Sequence, residues 1–400
     1  MNLDAVVIVG GARTAMAEYA GTPGYGLLAG LSAIELGAHA ARGALQRANV
    51  IPEQVSQVCF GNVLQSSVDA LYGARHVALK AGVPIPVPAL TVNRLCGSGL
   101  EALVQAARWV RDGEADIVLA GGMENMSQAP HAMYGQRAGI RFGSSPQLTD
   151  TLFEALKDPF CGFFMAQTAE NLAKKHAISR SEQDEFALRS HRLGAHAVET
   201  GIFAEEIVPI VVPAGRGQVT VQTDDHVKPD TSAEKLAALR AAFGKDGTVT
   251  AGNASGIVDG AAALVVTSAR KAQEYGLEIW AEIRAWSVVG VPPEIMGIGP
   301  VPAIRKVLER TGRKLEDVDF FEINEAFAAQ YLACEKELGL DRDKVNVNGG
   351  AIALGHPLGA TGARLALTLC HQLRRSHAQI GVASACIGGG QGIALLLERP

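Results

Sequence analysis

The chain repeats itself. Leu45-Gln-Arg47, Glu53-Gln-Val55 and Val58-Cys-Phe60 align without a gap on Leu308-Glu-Arg310, Glu316-Asp-Val318 and Phe321-Glu-Ile323, 263 positions further on. Ala115-Asp-Ile117 through Ala120 matches Ala378-Gln-Ile380 through Ala383 at the same offset, whereas Val92-Asn93 pairs with Val347-Asn348 at 255. Two halves of similar design follow. Between Asn348 and Gly362 the second half carries eight residues more than Asn93–Gly99 does, and Gly355-His356-Pro357 lies among them.

Each half reads as strands alternating with helices. Ala5–Val9, Ile117–Ala120, Ala261–Val266 and Ile380–Ser384 are short, uncharged and non-alternating, the pattern of strands covered on both faces. Ile34–Ala48, Leu100–Arg111, Val301–Arg310 and Ala363–Arg374 space apolar residues three and four apart, as amphipathic helices do. The expected class is α/β, helix layers on sheets. Residues 125–247 interrupt the first half with charged helices and no comparable strands. Ser179 with Glu182 and Thr231 with Glu234 resemble capping boxes for helices near 181–200 and 232–243, with Gly201 and Gly244 as stops. The expected units are 1–124 with 248–272, the inserted 125–247, and 273–400.

Composition narrows the function. In 400 residues, 36 basic and 41 acidic side chains give a net charge of −5, and no basic run offers the footprint that nucleic acid requires. Six cysteines, at 59, 96, 161, 334, 370 and 386, form no metal spacing and no disulfide framework, so a reducing, cytoplasmic setting is expected. Met1-Asn2-Leu3-Asp4 lacks the basic start of a secretory signal. Ser376–Leu397 holds no charge but five glycines, which fits a buried strand, turn and strand rather than a membrane span.

Four places could carry chemistry. Cys96 falls between a strand and the first turn of a helix, where amide dipoles favour a thiolate, although a buried structural cysteine would look the same. His356 sits in a glycine-crowded stretch, Asn346–Gly362, as a candidate base or an ordinary loop histidine. Cys386 precedes Gly388-Gly389-Gly390, whose amides could hold an oxyanion or only form a tight turn. Asn324, at a strand-to-helix junction, could cap the helix or orient a water. The repeat sets all four just past strand carboxyl ends, where open α/β sheets bind ligands.

Asn93-Arg-Leu-Cys96-Gly-Ser-Gly99, Asn324-Glu-Ala-Phe327, Gly355-His356-Pro357 and Cys386-Ile-Gly-Gly-Gly390 resemble the signature blocks of thiolases, in family order along the whole chain. The resemblance implies a duplicated fold, layered αβαβα, with the insertion covering coenzyme A and contributing to assembly. It further implies that Cys96 takes an acyl group, His356 activates it, and Cys386 moves the α-proton as acid/base. Oxyanion holes would come from His356 with a water on Asn324, and from the amides of Cys96 and Gly388. Ser255, Lys228, Phe243 and Ala326 would contact substrate or coenzyme A, while Met165 and Phe327 would line the acyl pocket.

The implied activity is reversible condensation of an acyl-CoA with acetyl-CoA, as a short-chain acetyl-CoA C-acetyltransferase or a 3-ketoacyl-CoA thiolase of broader range. Coenzyme A thioesters are substrates, no cofactor is tightly bound, no metal is expected, and a homotetramer is the implied assembly. Phe164 stands where short-chain biosynthetic members have His, and Lys228 where the family often has Arg, losing a planar stacking fork. Related condensing enzymes of the ketoacyl synthase kind place His or Asn where Cys386 stands. A non-catalytic CoA- or lipid-binding relative would tolerate loss of these residues, and a Cys–His–Asn hydrolase would have no use for the second cysteine.

Overall fold

A computed structural model describes residues 2–244 and 246–400. In chain order it forms β1 (Val6–Arg13), α1 (Ala33–Ala48), β2 (Gln57–Gly61), α2 (Gly73–Lys80), β3 (Ala89–Val92), α3 (Ser98–Arg111) and β4 (Ile117–Glu124). The insertion contributes α4 (Met165–Lys175), α5 (Arg180–Glu199) and the short α6 (Ala233–Ala237). Then come β5 (Val258–Ser268), β6 (Ala281–Gly290), α7 (Pro300–Thr311), β7 (Phe320–Ile323), α8 (Ala328–Leu338), α9 (Leu358–Ser376), β8 (Ile380–Ile387) and β9 (Gln391–Glu398).

The halves share one topology. Strand order is β1-β5-β4-β2-β3 in the first and β6-β9-β8-β7 in the second, each with two antiparallel pairings and then parallel ones. The counterpart of edge strand β3 shrinks to a single bridge, Phe321 with Val345. The two sheets join only where β1 meets β6, through Val7 opposite Glu282 and Ile8 opposite Ala281.

Helices α3 and α9 lie between the sheets and bury Leu100, Leu103, Leu365, Leu367 and Leu369 against apolar residues of both. Each such side chain is worth about 1.5–3 kcal/mol removed from water. Helices α1 and α2 cover the outer face of the first sheet, α7 and α8 that of the second. This is the expected αβαβα layering, and β1, β4 and β8 are buried along their whole length because both faces are covered.

The insertion departs from expectation in three ways. Besides helices it holds two small hairpins, His131–Ala132 with Thr149–Asp150 and Ile210–Ala214 with Gly217–Val221. The Ser179–Glu182 box does open α5, but Ser232, not Thr231, caps α6, its side chain accepting from the Lys235 amide. That helix stops at Ala237 instead of running on toward 243. The insertion packs on both halves: Phe203, Ile207 and Val212 join the core of the first, where Arg13 pairs with Glu206 and Asp224, and Phe186 stacks on Tyr331 of the second with ring centroids 4.2 Å apart.

Candidate active site

Cys96 is placed by a strained turn. Leu95 takes φ +46°, the left-handed region that an L side chain rarely adopts, and Asn93 Oδ1 accepts from its amide at 2.9 Å. Ser98 Oγ accepts from Arg94 N at 2.8 Å and donates to Leu95 O at 2.7 Å. Arg94 then spans two parts of the site, gripping Glu101 on α3 (2.9 Å) and Gln391 at the start of β9 (2.9 Å). The Cys96 turn is thereby tied to the turn that follows Cys386.

The backbone amide of Gly388 in that turn lies near enough to the Cys96 sulfur to favour its thiolate. Burial nevertheless pushes the thiol up to about 11, with the Glu124 carboxylate adding to the rise against the pull of the Gly388 and Cys96 amides. The amide dipoles act in the expected direction, toward the thiolate, but desolvation outweighs them. Cys386, fully buried at the end of β8, is pushed well above its usual range by burial and then by the nearby Cys96 and Cys334 thiols. The two candidate sulfurs are close enough to repel each other as thiolates.

The His356 loop is held by two buried carboxylates. Glu325 accepts from Ser190 Oγ, Asn346 Nδ2 and the amide of Ile352 (2.7, 2.8 and 3.2 Å). Glu124 accepts from Asn62 Nδ2, the amides of Val63 and Leu64, and the amide of Gly359 (3.0, 3.1, 3.0 and 2.8 Å). One pin precedes His356 and the other follows it, so the long loop cannot drift.

The imidazole is buried, and burial, with the Arg364 charge, lowers its pKa to about 3. At rest it is neutral and able to accept a proton. Asn324 Nδ2 lies 3.3 Å from His356 Nε2, while Asn324 Oδ1 is buried with no protein partner. Asn324 does not cap α8, whose N-cap is Phe327. Its amide side chain is free for the site, and the unpartnered oxygen suits a water.

A cavity of about 360 Å³ reaches this centre. His356, Met165, Phe327, Ser255 and Phe243 all line it. Its apolar wall includes Phe164, packed between Phe153 and Phe243 at centroid distances of 4.7 and 5.3 Å. Ala326 does not line the cavity but packs behind it with Met296 and Cys386, and its carbonyl accepts from the Ser255 amide at 3.0 Å. Lys228 reaches the cavity only through Glu18, at 3.0 Å, and also bonds Tyr25 at 2.7 Å. A larger cleft, about 740 Å³, opens at the far end of α9 beside His371 and Arg374 and holds none of the candidate residues. Among the described residues no cluster could hold a metal ion, and no helix is long and apolar enough to cross a membrane.

Profiles described as "Thiolase, N-terminal domain" and "Thiolase, C-terminal domain" match residues 6–270 and 277–399. The chain belongs to the thiolase family. The mitochondrial 3-ketoacyl-CoA thiolase of Homo sapiens is 48% identical to it over 396 residues, 99% of this chain and 98% of the human one. The acetyl-CoA acetyltransferase of Cupriavidus necator is also 48% identical, over 395 residues, 98% of this chain and 99% of that one. A crystal structure of the human enzyme matches with a TM-score of 0.97 over the whole of both chains at 48% identity. A second, in complex with CoA, matches with a TM-score of 0.95 at the same identity, over 100% of this chain and 99% of that one. The fold is the thiolase fold and the chain is a thiolase acyltransferase, with relatives of both names at equal identity.

Sequence reading missed the two pins. Glu124 could have been noticed as a charge closing an otherwise apolar strand. Glu325 was visible beside Asn324, but nothing in the sequence said that its carboxylate would turn toward the histidine loop.

Proposed function

We propose that this thiolase interconverts 3-ketoacyl-CoA plus CoA with acyl-CoA plus acetyl-CoA through an acyl group on Cys96, short chains being its preferred substrates. In the cleavage direction His356 Nε2 takes the Cys96 proton and the sulfur adds to the 3-carbonyl. The bond between the α- and β-carbons breaks, and the electron pair left on the α-carbon takes the proton of Cys386, releasing acetyl-CoA. A CoA thiol then gives its proton to the Cys386 thiolate and attacks the acyl group. Cys96 leaves and recovers its proton from His356. Condensation is the reverse.

The observation that carries this reading is His356, 3.3 Å from Asn324, lining one cavity with Met165 and Phe327, the two side chains that also pack against Cys386. A buried Cys386 holds a proton at rest, as the first cleavage step requires. Negative charge on the thioester oxygens would meet His356, once protonated, with a water on Asn324, and the amides of Cys96 and Gly388. Ser255 and Phe243 would border the pantetheine arm, Met165 and Phe327 the acyl group, Ala326 would back the pocket, and Lys228 would meet the charged end of coenzyme A. A cytoplasmic homotetramer completes the proposal.

A second reading, a thiolase of broader chain length, is favoured by the wall that Phe164 forms with Phe153 and Phe243, since it offers apolar surface where an imidazole would be polar. Measuring kcat/KM along a series of 3-ketoacyl-CoA substrates, from acetoacetyl-CoA upward, decides between them. A maximum at acetoacetyl-CoA supports the first, and a rise with length supports the second.

A further inference from the structure

Both nitrogens of His356 have a neighbour, and the chemistry of those neighbours leaves one arrangement of the proton. Thr361 Oγ1 lies 2.6 Å from Nδ1 and 3.0 Å from the carbonyl oxygen of Pro357. A carbonyl only accepts, so with its single proton on Pro357 O, which also takes the amides of Ala360 and Thr361 at 2.9 Å each, the Thr361 hydroxyl oxygen is left to accept from the ring. Nδ1 therefore carries the hydrogen. At the other side the Asn324 amide nitrogen, 3.3 Å from Nε2, can only donate, which again leaves Nε2 with its lone pair. All three side chains are buried.

We propose that Thr361 is a positioning residue that selects the Nδ1–H tautomer of His356 and so leaves Nε2, on the Asn324 side of the ring, unprotonated and able to take the Cys96 proton. The inference rests on the reading of His356 as the group that takes the Cys96 proton. The opposite tautomer would set the Nδ1 lone pair against the Thr361 oxygen, or make the hydroxyl abandon Pro357. Either loses one buried hydrogen bond, a preference of about tenfold. Because the partner is a hydroxyl and not a carboxylate, no counter-charge traps the imidazolium, and the proton is readily returned to the leaving thiolate.

The test compares the protein with Thr361→Val, which keeps the branched shape and loses the oxygen, Thr361→Ser, which keeps the oxygen, and His356→Asn. Rapid acid quench after mixing with acetyl-CoA gives the rate of Cys96 acylation, and nitrogen-15 NMR of histidine-labelled protein, with His356→Asn to assign the signal, gives the tautomer. Thr361→Val is expected to slow acylation at least about tenfold with KM for acetyl-CoA within about twofold, and Thr361→Ser to recover most of the rate. The unsubstituted protein should show Nδ1 protonated and Nε2 bare. Undiminished acylation in Thr361→Val, or an Nε2–H signal in the unsubstituted protein, overturns the role of Thr361. Full acylation by His356→Asn instead removes the base assignment itself, and the inference falls with it. Should Thr361→Val fail to fold, the NMR signal and the Thr361→Ser rate still decide.

Discussion

Gly99 and Gly362, 263 positions apart and equivalent in the repeat, press backbone on backbone where α3 and α9 cross between the sheets. A Cβ on Gly99 would stand 2.4 Å from the amide nitrogen of Ala363, and one on Gly362 would stand 2.2 Å from that of Leu100. Neither obstacle is a flexible side-chain end, so helices must separate to admit a methyl group. Cys96 precedes one helix and His356 the other, which makes this contact the gauge of their spacing. Gly99→Ala and Gly362→Ala should each cost about 3 kcal/mol and lower kcat together with stability. Urea unfolding and steady-state rates check it; a stable, fully active Gly362→Ala protein would contradict the account.

Cys386→Ala removes proton transfer at the α-carbon and leaves the Cys96 sulfur and His356 in place. Acylation by acetyl-CoA should persist at a reduced rate, CoA departing as a thiolate without the Cys386 proton, while overall condensation and cleavage fall about 10²- to 10⁴-fold, the usual worth of a positioned acid/base. Quenched-flow acylation beside steady-state turnover separates the two steps. Ordinary turnover in this variant would remove Cys386 from the mechanism.

The thiol of Cys96 is pushed up to about 11, so its thiolate fraction in the free enzyme should climb about tenfold per pH unit through the neutral range. Alkylation of Cys96 by iodoacetamide, followed by mass spectrometry between pH 7 and 9, is expected to rise without levelling. A plateau already reached at neutral pH would mean that helix and turn amides do hold a thiolate, against the balance argued from burial.

His371 on α9 is buried, with its pKa lowered to about 4 by burial and by Arg374, Arg47 and Arg375, against the opposing pull of Glu205. The unfolded chain takes up this proton near pH 6.5, the folded one only near 4. Stability from the neutral ring is present above 6.5 and is lost as the pH falls through that window, at about 1.4 kcal/mol per unit. Between pH 7 and 5 the stability difference between the unsubstituted protein and His371→Gln should therefore shrink by about 2 kcal/mol. Urea titrations at the two pH values measure it, and an unchanged difference would contradict the linkage.

The repeat made most of the fold legible. Gln57–Gly61 and Phe320–Ile323, like Ile117–Glu124 and Ile380–Ile387, occupy equivalent strands at the offset of 263, because the same packing of two layers selects the same pattern twice. Strand β4 was expected to end at Ala120, since two glycines follow. It runs on to Glu124 because Gly122 is where α9 leans on the sheet: a Cβ there would meet Gly359 O at 1.9 Å. Local propensity cannot reveal a contact with residues so far along the chain. For the same reason Thr361 stood out only as part of a glycine-rich stretch, and the desolvation that opposes the amide dipoles at Cys96 could not be read from its place at a helix start.

The most direct measurement is peptide mass spectrometry after acid quench of the enzyme with acetyl-CoA or acetoacetyl-CoA. The account predicts one acyl group per chain on the peptide containing Cys96, lost when CoA is added. An acyl group on Cys386 or any other cysteine, or none on Cys96 while turnover proceeds, would contradict it.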